Sequence, residues 1–587
     1  MSANLTSTTF ETSSVIDSNI FFSGLATRYR IATPISFETW DNLNLTYQFR
    51  ETEKSPEHST AIRWNENIGT AAENVFSQVA NITNLTFTKV TEDADIDFWL
   101  YSETDNILGY SYGIDGAGIF LNSYNIERSE IPLGGADHLT IAHEIMHNLG
   151  MTHPFDGYAN FPGVTSAYDL GELNSSQNIF TVTSYNDTGT KSANSLDINP
   201  GNFEQRLEFG MSNLGVIDQA FLQTLYGTNQ NTNSENTEFQ FNFDDRSQNW
   251  ETIWDAAGVD TITFTGEQDY SVNIDLRAPT LNLTDPEKTL SGICTVTDQN
   301  TWGGFVIGHG VHIENAKSGG GNDTIIGNDL NNVLTSLGGD NIFNPNLGND
   351  LIKSGNGNDV IYLESEELWD NKFVAVHSIT NKTSTYESIN LQGYNKFTDH
   401  IFLGDGNDKI YLTESDDALF LDDQYSTSNS SAYQESYNLG LDFGVLTRVA
   451  NCEEVYGLAG SDLLDFTSPK ITATKLLLNG GEGNDILWSG AEDDILLGEQ
   501  GDDELNGGPG DDKISGGDGL DHFKFAGIFG NDEITDWELG LDKISLYNVN
   551  NNEITFNQNV LLYGENNSIV FTGLTTEEVL SISIEFV

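Results

Sequence analysis

Ten nine-residue units, in two gapless runs, constrain the fold of this 587-residue chain more than any other feature. Five occupy Ser318–Tyr362, the clearest being Ser318–Ile326 (SGGGNDTII) and Ser354–Tyr362 (SGNGNDVIY). Five more occupy Gly480–Lys524: GGEGNDILW, SGAEDDILL, GEQGDDELN, GGPGDDKIS and GGDGLDHFK. Isolated copies stand at Leu403–Tyr411 and Gly457–Asp465. A fixed period of this kind means one small unit stacked on itself. A typical unit has a glycine-rich half, then Asp, any residue and a large apolar residue, with Ile, Leu or Phe at the penultimate position throughout both runs. Glycines permit a tight turn whose carbonyls face inward, and the aspartate adds a carboxylate; this donor set suits a hard cation such as Ca²⁺. The alternating residues that follow make a short strand whose apolar side chain points to a shared core. Stacked units then form a parallel β-roll with ions held between turns. The candidate calcium ligands are Asp323, Asp350, Asp359, Asp408, Asp485, Asp494, Asp503, Asp512 and Asp521. A disordered acidic linker would not keep the apolar positions in register.

Charge points the same way. The chain carries 89 acidic and 24 basic residues, a net charge of −65. Without counterions its acidic repeats repel one another and stay expanded. With Ca²⁺ they close, and because no preformed site exists in the unfolded chain, binding energy becomes folding energy. The same charge excludes nucleic acid and anionic membrane surfaces as partners. Nothing reads as a transmembrane span.

The second feature is His143–His153, HEIMHNLGMTH, three of the chain's ten histidines and a glutamate in eleven positions. On a helix His143 and His147 share a face, the geometry two imidazoles need to bind one Zn²⁺. Glu144 can take a proton from a water at such a metal. Gly150 tolerates the left-handed conformation of a helix stop, after which His153 can return as third ligand and leave a fourth position open. Asp137 is the expected helix cap, and Leu139, Ala142, Met146 and Leu149 form an apolar stripe at helical spacing. An ordinary amphipathic helix that happens to carry histidines does not call for the glycine and the third histidine at these offsets.

HEIMHNLGMTHP, with Pro154 after the third histidine, resembles the zinc site of the serralysin family of secreted bacterial metalloproteases, which are metzincins. The repeats resemble the RTX type. The resemblance implies an α+β metzincin catalytic domain followed by an all-β parallel β-roll. It also implies a zinc endopeptidase in which His143, His147 and His153 hold Zn²⁺ and Glu144 is the general base. The family's Met-turn aligns with Thr181-Val-Thr-Ser-Tyr185, which by resemblance makes Tyr185 a zinc ligand or transition-state stabiliser. Thr183 stands where the family has methionine, a change expected to affect rigidity or affinity before chemistry. Protein or peptide substrates and a monomer are expected.

Residues 1–30 lack the basic start, apolar stretch and cleavage site of a secretory signal. The resemblance implies an extracellular protein exported through a type I secretion apparatus by a C-terminal signal, which Glu585-Phe-Val587 resembles. The expected organisation is 1–20 propeptide or tail, 21–230 catalytic domain and 231–317 a β linker module. Then come 318–420 a first RTX block, 421–456 a degenerate β segment, 457–524 a second RTX block and 525–587 a C-terminal β segment. Within the linker module, Asp255 and Asp260 are either Ca²⁺ ligands or part of a solvated turn. Cys294 and Cys452 form no disulfide framework and are expected as free buried thiols, one long-range bridge being the alternative.

Two other functions fit parts of the sequence. One is a calcium-folded surface or adhesion protein with a decayed protease domain, of which Thr183 would be the first sign. The other is a lipase, for which Gly109-Tyr-Ser-Tyr-Gly113 supplies a GxSxG match. A nucleophile elbow needs a helix directly after the serine, and Ile114-Asp-Gly-Ala-Gly118 is too glycine-rich to start one.

Overall fold

The structure is a computed structural model and describes residues 21–587 with breaks, the longest at 187–210, 370–390 and 422–447. The expected tail at 1–20 and residues 422–447 of the expected segment 421–456 lie outside the described residues. The chain divides into two compact units, Met1–Ile313 and Glu314–Val587.

In the first unit, five strands make one sheet: β1 (Asn44–Phe49), β2 (Thr86–Lys89), β3 (Ile96–Tyr101), β4 (Gly109–Ser111) and β5 (Gly118–Asn122), in the order β2-β1-β3-β5-β4. All pairs are parallel except the edge strand β4, which runs antiparallel to β5. Three helices longer than ten residues accompany it among the described residues. Helix α1, Glu66–Ile82, buries Ile68, Ala71, Ala72, Val75, Phe76, Val79 and Ile82, an apolar stripe at helical spacing. The sequence pattern places its start at Ser59, but the helix begins at Glu66, where the Asn65 side chain caps it by accepting from the Asn67 N–H.

Helix α2 spans Ala136–Asn148 and carries the first two histidines of the motif. Gly135 takes the N-cap position; Asp137, expected there, lies inside the first turn, where its charge still complements the helix dipole. Helix α3, Val216–Tyr226, stops at Gly227, whose φ of 75° suits glycine. Phe98, Ile141, Met146 and Phe221 belong to one apolar core built from strands and helices together. Burying each such side chain contributes about 1.5–3 kcal/mol. Residues 231–313 fall within this unit and are β-rich: Ser247–Ile253 pairs parallel with Trp302–Ile307, which pairs antiparallel with Ile293–Val296.

The second unit is built from short parallel strands with few helices. Its rungs run in register along one face, Ile325 beside Phe343, then Ile361, Ile410, Val455, Leu478, Leu496 and Ile514. Another face stacks Leu464, Leu487, Leu505, Phe523 and Ile544. Two nine-residue units therefore make one coil of 18 residues, the separation over which equivalent aspartates bond. All ten penultimate residues of the two runs are fully buried, from Ile325 to Phe523, as an inward-facing apolar ladder requires. The register passes without interruption from the first run through the copy at Leu403–Tyr411 and on to the second run. Cys294 and Cys452 are both buried free thiols.

Candidate active site

Helix α2 sets His143 and His147 one turn apart, and the chain reverses at Gly150, whose φ of 97° is the predicted left-handed stop. The helix end is held by two side chains from elsewhere in the unit. Trp40 Nε1 donates to Asn148 O at 3.0 Å, and the Tyr226 hydroxyl donates to Leu149 O at 2.8 Å, satisfying carbonyls that the helix leaves open. This fixed reversal returns His153 to the first two histidines. The three Nε2 atoms lie 3.0, 3.0 and 3.1 Å apart.

The protons on these rings are assigned by their other nitrogens. His143 Nδ1 donates to Val182 O at 3.0 Å and His147 Nδ1 donates to Met151 O at 2.8 Å. In those neutral rings Nε2 carries a lone pair, so two lone pairs face each other at 3.0 Å. A cation between them removes the repulsion, and the carbonyl partners on Nδ1 are the outer supports that metal-bound histidines ordinarily have. Burial, then the neighbouring His147 and His153, hold His143 well below the usual histidine range, in the neutral form that a metal requires. These three histidines each offer a ligand atom within 4.8 Å of the others, and a zinc-type site of three histidines fits them.

Glu144 is buried next to the first histidine, and burial pushes its carboxyl up to about 8. Its Oε2 is buried without a partner. Edge strand β4 passes so close that a Cβ on Gly109 would lie 3.2 Å from Glu144 Cγ. Tyr185 is half-exposed, its ring 4.8 Å from that of His153 and 5.5 Å from that of His143. Phe155, which sequence reasoning did not single out, stacks on His153 at 4.8 Å and contacts the Tyr185 ring at 5.1 Å. Ser111 lies on β4 and its Oγ accepts from the Gly113 N–H. A four-residue helix does form at Gly113–Gly116, contrary to expectation, but the serine sits on a strand two residues before it.

Beneath the histidines lies the segment where methionine was expected. Thr181, Thr183 and Asp218 are all fully buried. Thr181 Oγ1 donates to Asp218 Oδ1 at 2.6 Å, so at its 2.9 Å contact with Thr183 the Thr183 hydroxyl must be the donor. Asp218 Oδ2 also accepts from Val182 N–H at 2.7 Å and Gly215 N–H at 3.0 Å. Burial pushes Asp218 up to about 7 against these bonds. A directed hydrogen-bond chain at the start of α3 thus takes the place of an apolar floor and fixes the Val182 carbonyl that orients His143. No local pattern announces it, because Asp218 is 37 residues from Thr181.

The aspartates of the roll form a ladder. Asp485 N–H donates to Asp503 Oδ1 at 2.8 Å, Asp494 N–H to Asp512 Oδ1 at 2.8 Å and Asp503 N–H to Asp521 Oδ1 at 3.1 Å. Asp359 N–H donates likewise to Asp408 Oδ1 at 2.7 Å, and Asn332 N–H to Asp350 Oδ1 at 2.7 Å. One oxygen of each carboxylate is thereby used. The other, Oδ2, is buried without a partner on Asp350, Asp359, Asp408, Asp485, Asp503, Asp512 and Asp521. It folds back over the first glycine of its unit: a Cβ on Gly480 would lie 2.1 Å from Asp485 Oδ2 and one on Gly516 2.1 Å from Asp521 Oδ2. Burial pushes Asp512 up to about 9 and Asp503 up to about 7, a cost that a bound cation removes. Calcium fits this set of buried carboxylate oxygens.

Asp323 is buried on the same ladder. Asp494 differs, its Oδ2 accepting from Gly490 N–H at 3.2 Å. Asp462 and Asp532 have the same orphaned oxygen and were missed. The signal for Asp532 is the Gly530-Asn-Asp532 triplet, displaced by two residues from the nine-residue phase. Asp255 and Asp260 are buried side by side in the first unit, and burial followed by the Asp260 charge pushes Asp255 up to about 7. Among the described residues no helix is long and apolar enough to cross a membrane.

Comparison with known proteins finds relatives of this chain. The chain is 28% identical to metallopeptidase AprA of Pseudomonas marginalis over 276 residues, 43% of this chain and 53% of that one. It is 29% identical to a serralysin of Photorhabdus sp. (strain Az29) over 313 residues, 49% and 58% of the two chains. It is 29% identical to the serralysin of Proteus mirabilis over 324 residues, 51% and 58%. It thus spans somewhat more than half the length of the curated relatives it matches. The family description Peptidase M10 serralysin C terminal matches residues 218–586, which begin after the histidine cluster and take in the whole roll. With well over half of its length matched, the chain belongs to the serralysin C-terminal family of M10 peptidases.

Proposed function

We propose that this chain is a secreted zinc-dependent endopeptidase, folded by calcium, that hydrolyses protein substrates. The observation that carries the reading is the convergence of three histidine Nε2 atoms at 3.0–3.1 Å beside a buried glutamate with a free oxygen. Residues 21–230 are then a metzincin-type catalytic domain. His143, His147 and His153 would hold Zn²⁺, which when bound supplies Lewis acidity toward the scissile carbonyl and toward a water.

The chain's own groups do the rest. Glu144 takes a proton from the attacking water and returns it to the leaving amine, and its raised pKa suits a group that must both accept and donate near neutral pH. The Val182 and Met151 carbonyls hold the imidazoles in the tautomer that presents Nε2. Tyr185 offers its phenol to the developing oxyanion from its position against His143 and His153. The Asp218–Thr181–Thr183 chain keeps the loop between them in place without methionine.

In the roll, Asp323, Asp350, Asp359, Asp408, Asp485, Asp494, Asp503, Asp512 and Asp521 are the calcium residues. Type I export and an extracellular location follow from the family resemblance. The test is casein hydrolysis by the calcium-refolded chain, with and without phenanthroline, beside Glu144→Ala. Chelator-sensitive cleavage that is lost in the variant while one Zn²⁺ is retained is the expected result. A folded, zinc-loaded wild-type chain that cleaves no protein overturns the proposal.

A further inference from the structure

The two runs of repeats contain an exception. At two turns of the first run, the aspartate of the ladder is replaced by asparagine. Asn341 stands in one column between Asp323 and Asp359 and makes the ladder's two bonds: Asp323 N–H donates to Asn341 Oδ1 at 2.9 Å, and Asn341 N–H donates to Asp359 Oδ1 at 2.9 Å. The place taken elsewhere by the orphaned carboxylate oxygen is here taken by Nδ2. That nitrogen donates among Ser336 Oγ at 2.8 Å, Gly339 O at 2.8 Å, Gly338 O at 3.2 Å and Asp359 Oδ1 at 2.8 Å.

An amide nitrogen has no lone pair to offer a cation. The opposite orientation of the amide is no remedy, since it would set the NH₂ group against the Asp323 N–H, donor to donor. It would also set Oδ1 against the carbonyls of Gly338 and Gly339, acceptor to acceptor, so the bonded orientation holds and no side-chain oxygen faces those carbonyls. Asn332 is closed in its own way. Its N–H donates to Asp350 Oδ1 at 2.7 Å, its Oδ1 accepts from Asn328 N–H at 2.8 Å, and its Nδ2 donates to Glu314 O and Asn328 Oδ1, both at 3.0 Å. Both asparagines are almost fully buried, with every side-chain polar atom engaged.

We infer that Asn341 and Asn332 close their turns with their own amides where neighbouring turns use calcium, so these two turns hold their shape without the ion. This rests on the reading of the aspartate turns as calcium sites. The roll then has fixed, ion-independent turns in its first run, against which the ion-dependent turns stack. A neutral amide also breaks the column of negative charge at those points and lowers the repulsion that keeps the calcium-free chain expanded.

The test counts ions on the full-length chain. Wild type, Asn341→Ala and Asn341→Asp are decalcified, and bound calcium is measured by equilibrium dialysis against radiocalcium, with folding followed by far-UV circular dichroism. Asn341→Ala should bind as many ions as wild type and be less stable. Asn341→Asp should bind one more ion and, without calcium, lose hydrogen-exchange protection across residues 336–344. An Asn341→Ala chain that binds one ion fewer overturns the inference, since the asparagine would then be a ligand. So does an Asn341→Asp chain that folds with calcium yet binds no extra ion. If Asn341→Asp does not fold, the alanine variant decides alone. A wild-type chain that binds no calcium overturns the reading of the aspartate turns themselves, a result separate from the other two.

Discussion

Replacing His138 with leucine isolates an acid sensitivity built into the helix that carries the histidine cluster. His138 lies in the first turn of α2, is 1% exposed, and has both ring nitrogens buried without a hydrogen-bond partner. Burial lowers its pKa from 6.5 to about 4. The unfolded chain therefore takes up a proton on this side chain below pH 6.5, while the folded chain resists it down to about 4. Its contribution to stability is fully present above pH 6.5 and is lost as pH falls toward 4. At about 1.4 kcal/mol per pH unit the full loss is about 3 kcal/mol, and at pH 5 it is about 2 kcal/mol. That is a large part of the roughly 5–15 kcal/mol that keeps a domain folded.

The assay is urea unfolding of wild type and His138→Leu in saturating calcium and zinc. It is followed by hydrogen exchange across residues 136–148 from pH 8 to pH 4.5. Protonation of the three clustered histidines affects both proteins and cancels in the difference. The difference should stay constant above pH 7 and shift in favour of leucine by about 2 kcal/mol by pH 5. Parallel curves over this range would refute the reasoning, because His138 would then titrate alike in both states.

Other expectations follow from single contacts. Tyr226→Phe leaves the Leu149 carbonyl without its donor and should cost about 1–3 kcal/mol in the first unit, read by calorimetry. Tyr185→Phe should lower kcat for a peptide substrate by about 10²-fold with KM little changed, as loss of an oxyanion donor does. Gly480→Ala puts a Cβ where Asp485 Oδ2 lies, and should raise the calcium needed for half-maximal folding by about 10–100-fold in a circular-dichroism titration. Selective removal of calcium should open the aspartate turns, with hydrogen-exchange protection lost around Asp485, Asp503 and Asp512 while residues 336–344 keep theirs.

What could be read from the chain alone was what repeats or recurs at short range. The nine-residue period places each penultimate apolar residue inside, and Leu505 or Ile514 is buried because its neighbours in the pattern are. The spacing of His143, His147, Gly150 and His153 encodes a helix, a stop and a return, which the geometry reproduces. Strand Ile96–Tyr101 has the bounds that its run of apolar and aromatic residues suggests.

Helix starts were less legible, because capping is decided by one backbone geometry: the first helix begins after Asn65, not at Ser59, and Gly135 serves where Asp137 was expected. The support under the histidines was not legible at all. Asp218 meets Thr181 across 37 residues and Trp40 meets Asn148 across 108, contacts that tertiary packing creates. The part asparagine plays in the ladder is set by the partners of its amide nitrogen, which no sequence pattern displays.

The uninterrupted register of the rungs has a further meaning for how such a chain changes over time. Most ladder partners are 18 residues apart, yet Asp359 bonds to Asp408 across 49 and Asp462 approaches Asp417 across 45, with the same bonds at 2.7 and 2.8 Å. Between these partners the chain is some thirty residues longer than one coil, and the ladder resumes one level up. Each level contacts only those above and below it, so a long excursion disturbs no geometry beyond its own edge. Coil boundaries are therefore places where the chain can lengthen by tens of residues while the ladder keeps its register.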